Sequence, residues 1–357
     1  LQGLSVPDNS VVNDDDDSQV RLSQWGRFCN RVSLHLLESL EKLGATDNSK
    51  IAIALSGGVD SMALLLAASE ILGNSRISAL TVDHGLRGES ANEALAIAAI
   101  CAELGIAHTI LSWQHNSPQA NVQEQAREAR YALMLDWCQQ NNTRFLLIAH
   151  HLDDQVETFF LNLGRGSGVY GLSAMPQVIE QQGIFCIRPM LEIPKTEIIK
   201  AAQEKNLRWF EDPTNAKNSY KRNRIRAAIP GVIESLHQAD DGFSVSRINL
   251  AIKNIARARN ALDFYTERHI KNSVEFAETV TGISAIINAE IFWDAPEEVK
   301  FRSFAKIIQT IGGNNTVPRL EKTINALRMI KTTKSLTLGG CLVKAQKNTI
   351  VISRAKA

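Results

Sequence analysis

Apolar positions along this chain recur with two different periods. Phe28, Val32, Leu36, Leu37 and Leu40 return every three or four residues, the spacing of one helix face. From residue 50 onward, short apolar runs (51–55, 77–82, 108–113, 145–149 and 184–187) alternate with stretches of helical periodicity (62–72, 90–104, 121–140, 153–163 and 195–206). Near-continuous apolar strands separated by helices predict an α/β fold with a doubly wound, mostly parallel five-stranded sheet covered on both faces. Ligands of such sheets bind beyond the carboxyl ends of the strands, where the strand order reverses. The pattern changes around Pro230. Residues 244–272 predict a long helix that mixes Ile248, Ile252, Ile255 and Leu262 with Arg259, and 335–338, 341–345 and 349–352 read as short strands. The organisation expected is a disordered acidic extension over 1–20, an N-terminal domain over 21–228, and a basic helical linker with a smaller α+β domain over 229–357.

Charge sharpens this division. The net charge of +1 conceals five Asp and no Lys or Arg in residues 1–20, against 18 basic and 9 acidic side chains in residues 247–357. The last third could attract a polyanion. No apolar run approaches the roughly 18 residues that span a bilayer, so no membrane association is expected. The five cysteines are scattered, with no CxxC and no Cys/His spacing typical of zinc, which suits a reducing cytosol. The first residues show neither a secretory leader nor an Arg-rich transit pattern. A cytoplasmic protein is expected.

The strongest local signal is Ser56-Gly57-Gly58-Val59-Asp60-Ser61, between the first apolar run and the helix after it. Two glycines let the backbone approach an anion, and a helix N-terminus behind them offers unpaired N–H groups. Ser56 and Ser61 add hydroxyls, and Asp60 could hold magnesium against phosphate. The bland alternative is a glycine turn that merely caps a helix. Neither GxxxxGK[ST] nor GxGxxG is present. The segment resembles the SGGxDS signature of the PP-loop ATP pyrophosphatases, whose members adenylate an oxygen, release pyrophosphate and let a nucleophile displace AMP.

Further segments narrow the resemblance. Val82-Asp83-His84-Gly85-Leu86-Arg87-Gly88-Glu89-Ser90 ends the second run. In Ala126-Arg127-Glu128-Ala129-Arg130-Tyr131 the two arginines are three apart and share a helix face, either to grip phosphates or simply to pair with Glu124 and Glu128. Ala149-His150-His151-Leu152-Asp153-Asp154-Gln155-Val156-Glu157 concentrates acids at a helix start, where they could bind magnesium or a cationic amine. Adjacent histidines cannot share a helix face as two zinc ligands would. Leu163-Gly164-Arg165-Gly166-Ser167-Gly168 is a glycine-rich turn with one cation. Arg188-Pro189-Met190-Leu191, Lys195-Thr196-Glu197-Ile198 and the cationic strip Tyr220-Lys221-Arg222-Asn223-Arg224-Ile225-Arg226 follow. That strip could contact phosphates, with Tyr220 stacking on a base, or could be an ordinary basic helix start.

From about residue 50 to 228 this order of motifs resembles the tRNA(Ile)-lysidine synthetases. The resemblance implies an ATP- and Mg2+-dependent ligase. It would adenylate the C2 oxygen of the wobble cytidine in a CAU-anticodon tRNA(Ile), and the ε-amine of free L-lysine would then displace AMP. It implies that residues Ser56, Gly57, Gly58, Val59, Asp60 and Ser61 hold ATP, and that Asp60 and Asp154 hold magnesium. Arg127 and Arg165 would stabilise phosphate charge, while Asp153, Asp154 and Glu157 receive the lysine ammonium and His150 or His151 accepts a proton. His84, Arg87, Glu89, Arg130, Tyr220, Arg222, Arg224 and Arg226 would contact the substrates, and the basic C-terminal domain would hold the tRNA body. No protein partner is implied, and a homodimer is left open. Two other readings compete. A tRNA thiolase of the same superfamily usually needs a cysteine pair, which the spacing does not offer; an inactive nucleotide or RNA binder would retain the loop without turnover.

Overall fold

The computed structural model describes residues 22–85, 90–114, 122–210, 221–240, 242–279, 282–313 and 317–355. The chain divides into two compact units, Leu1–Leu161 with Met175–Asn249, and Asn162–Ala174 with Leu250–Ala357.

The elements of the first half are α1 (Gln24–Lys42), β1 (Ile51–Ala54), α2 (Val59–Leu72), β2 (Ile77–Asp83), α3 (Ser90–Glu103), β3 (Ala107–Ser112), α4 (Val122–Gln140), β4 (Phe145–Leu147), α5 (Leu152–Leu163), α6 (Val169–Leu172), β5 (Val178–Gln181), β6 (Ile184–Ile187), α7 (Lys195–Glu204) and α8 (Lys221–Ala239). The sheet of the first unit has the order β3-β2-β1-β4-β6-β5. The five expected strands run parallel, and β5 adds a sixth, antiparallel to β6. Its four residues include Glu180 and Gln181, too polar and too short to stand out as an apolar run. Gln182 and Gly183, at φ +53° and +78°, make the two-residue turn of this hairpin.

Alternation within each strand feeds two cores. Ile51, Ile53, Ala79, Leu147 and Ile187 face one way and pack with α1, α2, α3 and α7. Ala52, Leu80, Leu146 and Cys186 face the other and pack with Met134, Leu135 and Cys138 of α4. Helix α2 is apolar nearly all round and lies buried beside the central strand, which fixes the loop that precedes it. In α1, Phe28, Val32, Leu36 and Leu40 are buried as the periodicity predicts, and Trp25 joins them. Leu37, one residue round the helix from Leu36, is 47% exposed, because one helix face cannot hold both. Pro230 lies inside α8, and the boundary expected at 228/229 cuts this helix, all of which stays with the first unit.

The second unit is built on α9 (Val245–Ser273), β7 (Val274–Thr279), β8 (Gly282–Asn288), α10 (Ala289–Asp294), α11 (Glu297–Gly312), α12 (Leu320–Ile330), β9 (Ser335–Leu338), β10 (Cys341–Ala345) and β11 (Thr349–Arg354). Its antiparallel sheet has the order β7-β8-β11-β10-β9. Ala285, Ile287, Val343, Ile350 and Ile352 line one sheet face and pack against Phe304, Ile307, Ile308, Leu327 and Ile330 of the helices. This is the α+β domain expected. Among the described residues no helix is long and apolar enough to cross a membrane.

Candidate active site

Strand order reverses between β1 and β4, so the loops leaving the carboxyl ends of these two neighbours open a crevice. The loop after β1 is the glycine segment. Gly57 has φ +81°, and a Cβ there would stand 2.7 Å from Ile97 Cδ1, so no other residue fits without strain. Its carbonyl accepts from Phe210 N–H at 2.9 Å, which pins the loop. Gly58 is the N-cap of α2 and has no side chain with which to cap it. The first-turn N–H groups are thus left for an outside acceptor, for which an anion is suited.

Within this loop the two serines differ. Ser61 is 3% exposed. Its hydroxyl donates to the Gly58 carbonyl at 2.9 Å and accepts from Ser56 N–H at 3.2 Å, so it braces the loop. Ser56 is exposed and its Oγ lies 3.2 Å from that of Ser61. Val59 buries its side chain and offers only its backbone. Asp60 Oδ2 accepts from Lys195 Nζ at 2.5 Å, while Asp60 Oδ1 is buried with no hydrogen-bond partner among the described residues. A buried carboxylate oxygen without a donor is a costly arrangement, and a cation would relieve it.

After β4 comes the acidic helix start. Asp154 reaches back to accept from His151 N–H at 3.1 Å, the third-residue half of a capping box for α5. Asp153 Oδ2 accepts from Lys195 N–H at 2.9 Å, so it caps α7, whose own N-cap is Pro194. His151 sits among three carboxylates, its Nδ1 3.5 Å from Asp153 and its Nε2 3.5 Å from Asp154 and 3.8 Å from Asp60. Burial works to lower the His151 pKa, but Asp153, Asp154 and Asp60 outweigh it and raise the ring above its ordinary value. Burial in turn works to raise Asp153 and Asp154, and the neighbouring cations and N–H donors hold both below the usual carboxylate range. His150 is the opposite case: burial lowers it, and its Nδ1 accepts from Arg188 Nε–H at 3.1 Å, which fixes a neutral ring with its proton on Nε2.

Glu157 is 2% exposed and holds two arginines. Arg222 Nε donates to Oε2 at 2.7 Å, and Arg226 Nε donates to Oε1. Arg222 also reaches Asp154 Oδ1 at 3.1 Å. These two cations, read from the sequence as phosphate contacts, are paired with carboxylates because i and i+4 of α8 share a face. Arg224, two residues from either, is exposed on another face. Arg127 is exposed, stands 5.3 Å over the Tyr131 ring, and its charge is felt at His150. Arg130 instead bonds His84 Nε2 at 2.9 Å beside β2. There Asp83 accepts from Ser90 Oγ at 2.6 Å and Gly85 N–H at 3.0 Å, which hold its carboxyl low. Arg165 is exposed in the segment that groups with the second unit. Arg87, Glu89 and Tyr220 lie outside the described residues, as does the extension over 1–20.

Lys195 and Arg188 have no role among the expectations from sequence. Both follow β6, the strand next to β4, and the rule that ligands gather at strand carboxyl ends would have flagged them. Among the described residues no group of three His, Cys, Asp or Glu side chains could hold a metal by itself. Magnesium at a nucleotide site needs only one or two carboxylates beside phosphate oxygens, so Asp60 with its unpartnered oxygen fits that use.

Known proteins resemble this chain in sequence and in fold. A PP-loop domain family matches residues 30–232. The tRNA(Ile)-lysidine synthase of Ruegeria pomeroyi is 36% identical over 307 residues, 85% of this chain and 71% of that protein. That of Wolbachia pipientis wMel is 36% identical over 328 residues, covering 89% and 74%. That of Bradyrhizobium diazoefficiens is 32% identical over 325 residues, covering 88% and 85%. Among solved structures, the U34-tRNA thiolase NcsA from Methanococcus maripaludis aligns with a TM-score of 0.53 at 20% identity, over 64% of this chain and 80% of that one, a likeness of fold alone. With this level of identity over most of its length, the chain belongs to the tRNA(Ile)-lysidine synthase family of PP-loop proteins.

Proposed function

We propose that this protein uses ATP and magnesium to adenylate the C2 oxygen of the wobble cytidine of a CAU-anticodon tRNA(Ile), and that the ε-amine of free lysine then displaces AMP. The observation that carries the reading is the meeting of two loops at the β1/β4 crevice: an uncapped helix N-terminus behind Gly57 and Gly58, and a nest of carboxylates 3.5–3.8 Å from one histidine. The first suits a polyphosphate, the second a cation. The PP-loop family match, residues 30–232, spans both loops.

The α2 amides and Ser56 receive the ATP phosphates, with Ser61 keeping the loop in shape. Bound magnesium would neutralise phosphate charge beside Asp60, with Asp154, which faces the same His151 Nε2, as the second carboxylate. Lys195, paired with Asp60 in this structure, can turn its ammonium to the phosphates. Arg127 is assigned to the α-phosphate. His84 and Arg130, held together beside β2, with Arg87, Glu89, Tyr220 and Arg224, are assigned to the tRNA.

Lysine arrives as an ammonium and must lose a proton before it attacks. Of the two histidines, His150 offers its free nitrogen to Arg188, so His151, whose affinity for a proton the surrounding carboxylates raise, is assigned to accept it. Asp154 and Glu157 are the carboxylates assigned to the lysine ammonium. Because Arg222 and Arg226 already occupy them, an incoming ammonium exchanges for a guanidinium. A sulfur-transfer reading fares worse: burial pushes the Cys101 thiol up to about 11 and Cys138 up to about 12, far from a reactive thiolate. The test is tRNA-dependent release of pyrophosphate from ATP, with AMP release made dependent on lysine. Release that needs a sulfur donor instead of lysine would favour the thiolase, and no release with any tRNA would leave only a binder.

A further inference from the structure

The second unit carries a cavity of about 630 Å3 where one end of its sheet meets α10 and the end of α12. Trp293 of α10 forms part of its wall. Its ring is half-buried, braced edge-on by Phe292 at 5.4 Å, and Lys331 Nζ lies 4.5 Å from the ring centroid. Lys347, in the β10–β11 turn, is an exposed second lysine on the wall. The Lys334 carbonyl accepts from Ala345 N–H at 3.0 Å, which brings a third exposed lysine to the same end of the sheet. Asn288 and Gln346 also line the space. Their side-chain oxygens are taken by Ile291 N–H and the Thr349 hydroxyl, each at 3.2 Å, so their NH2 groups are left to donate. Among the described lining residues Glu290 is the one acid.

An aromatic face, ammonium groups and amide donors are the set that recognises a base and its phosphates. Most of these lining side chains are exposed, so the cavity is too open to enclose a free small ligand, which a dedicated pocket would bury by roughly 70–90%. It suits one residue of a polymer whose affinity is gathered over a wider surface. The surrounding segment, 18 basic to 9 acidic over residues 247–357, has the charge to attract such a polyanion.

We propose that the cavity around Trp293, Lys331 and Lys347 is an RNA-contact site, holding one nucleotide of the tRNA with its base on the indole and its phosphates on the lysines. A base entering the site displaces the Lys331 ammonium from the ring toward the phosphate. The inference rests on the tRNA substrate proposed above and adds a place for it in the second unit.

The test is the Kd of full-length protein for an unmodified CAU-anticodon tRNA transcript, measured across a salt series. Trp293→Ala should weaken binding about tenfold or more, and Trp293→Phe, which keeps a ring, should recover most of it. The double change Lys331→Ala/Lys347→Ala alters only exposed side chains and should lower the slope of log K against log salt by about two. Lysidine formation at saturating tRNA should keep its kcat in all three. Unchanged Kd and unchanged slope in both Trp293→Ala and the lysine double variant, from a wild type that makes lysidine, would overturn the site. A wild type that makes no lysidine but binds tRNA through Trp293 would instead remove the proposed reaction and keep the RNA site.

Discussion

The ion cluster at Glu157 is lopsided, and that makes its energetics testable. The carboxylate is 2% exposed, whereas Arg222 and Arg226 are 34% and 47% exposed. Removing one arginine leaves Glu157 with the other, and water screens what is lost, so Arg222→Ala or Arg226→Ala alone should cost about 1 kcal/mol. Removing both strands a buried charge. Breaking a buried pair costs about 3–5 kcal/mol, and the exposure of the two arginines argues for the lower end, about 3 kcal/mol. The double loss should therefore exceed the sum of the two single ones. Glu157→Gln placed in the double variant discards the stranded charge and should return about 2 kcal/mol of that loss. Equilibrium urea unfolding of the full chain, fitted for two units, measures each value. Strict additivity of the single changes, together with no recovery from the glutamine, would show that Glu157 is solvated after all and that the packing described around α5 and α8 is wrong.

Four further outcomes are expected. Asp60→Asn should cut ATP-dependent pyrophosphate release by about 100-fold, read in a coupled pyrophosphate assay, because it removes the charge beside the phosphates. Lys195→Ala should raise the KM for ATP more than it changes kcat, and Lys195→Arg should restore part of the loss; an unchanged KM would free Lys195 from the phosphates. The folded protein holds the His151 proton more tightly than the unfolded chain, so this ring's stabilisation is complete below about pH 6.5 and fades as pH rises through the folded value. In His151→Gln, unfolding free energy should lose that part of its pH dependence, and an identical pH profile would contradict the raised pKa. Gly57→Ala forces a left-handed backbone on a residue with a Cβ and crowds Ile97, so a loss of about 1–2 kcal/mol and a lower Tm are expected by calorimetry.

Much of the site was legible in the sequence because its parts are local. The loop from Ser56 to Ser61 and the acids from Asp153 to Glu157 each lie at a junction of an apolar run and a helix, and two such junctions in a parallel sheet open on the same crevice. What could not be read is the pairing between distant segments. Arg222 and Glu157 are 65 residues apart, and Lys195 and Asp60 are 135 apart, so only the fold brings them together. Charge spacing alone sends Arg222 and Arg226 to an external phosphate, although a buried carboxylate claims them. Likewise Asp153 reads as part of an acidic pocket until α7 places its own uncapped N–H beside it. The hairpin strand β5 was hidden by its polar edge position.

One measurement tests the proposed reaction most directly: incorporation of labelled lysine into an unmodified CAU-anticodon isoleucine tRNA transcript, with ATP and magnesium. A transcript with uridine at the wobble position and the Asp60→Ala protein serve as controls. Stable incorporation that needs the cytidine, ATP and Asp60 is the expected result. No lysine in the tRNA, while the same preparation binds ATP and the transcript, would contradict the proposed reaction.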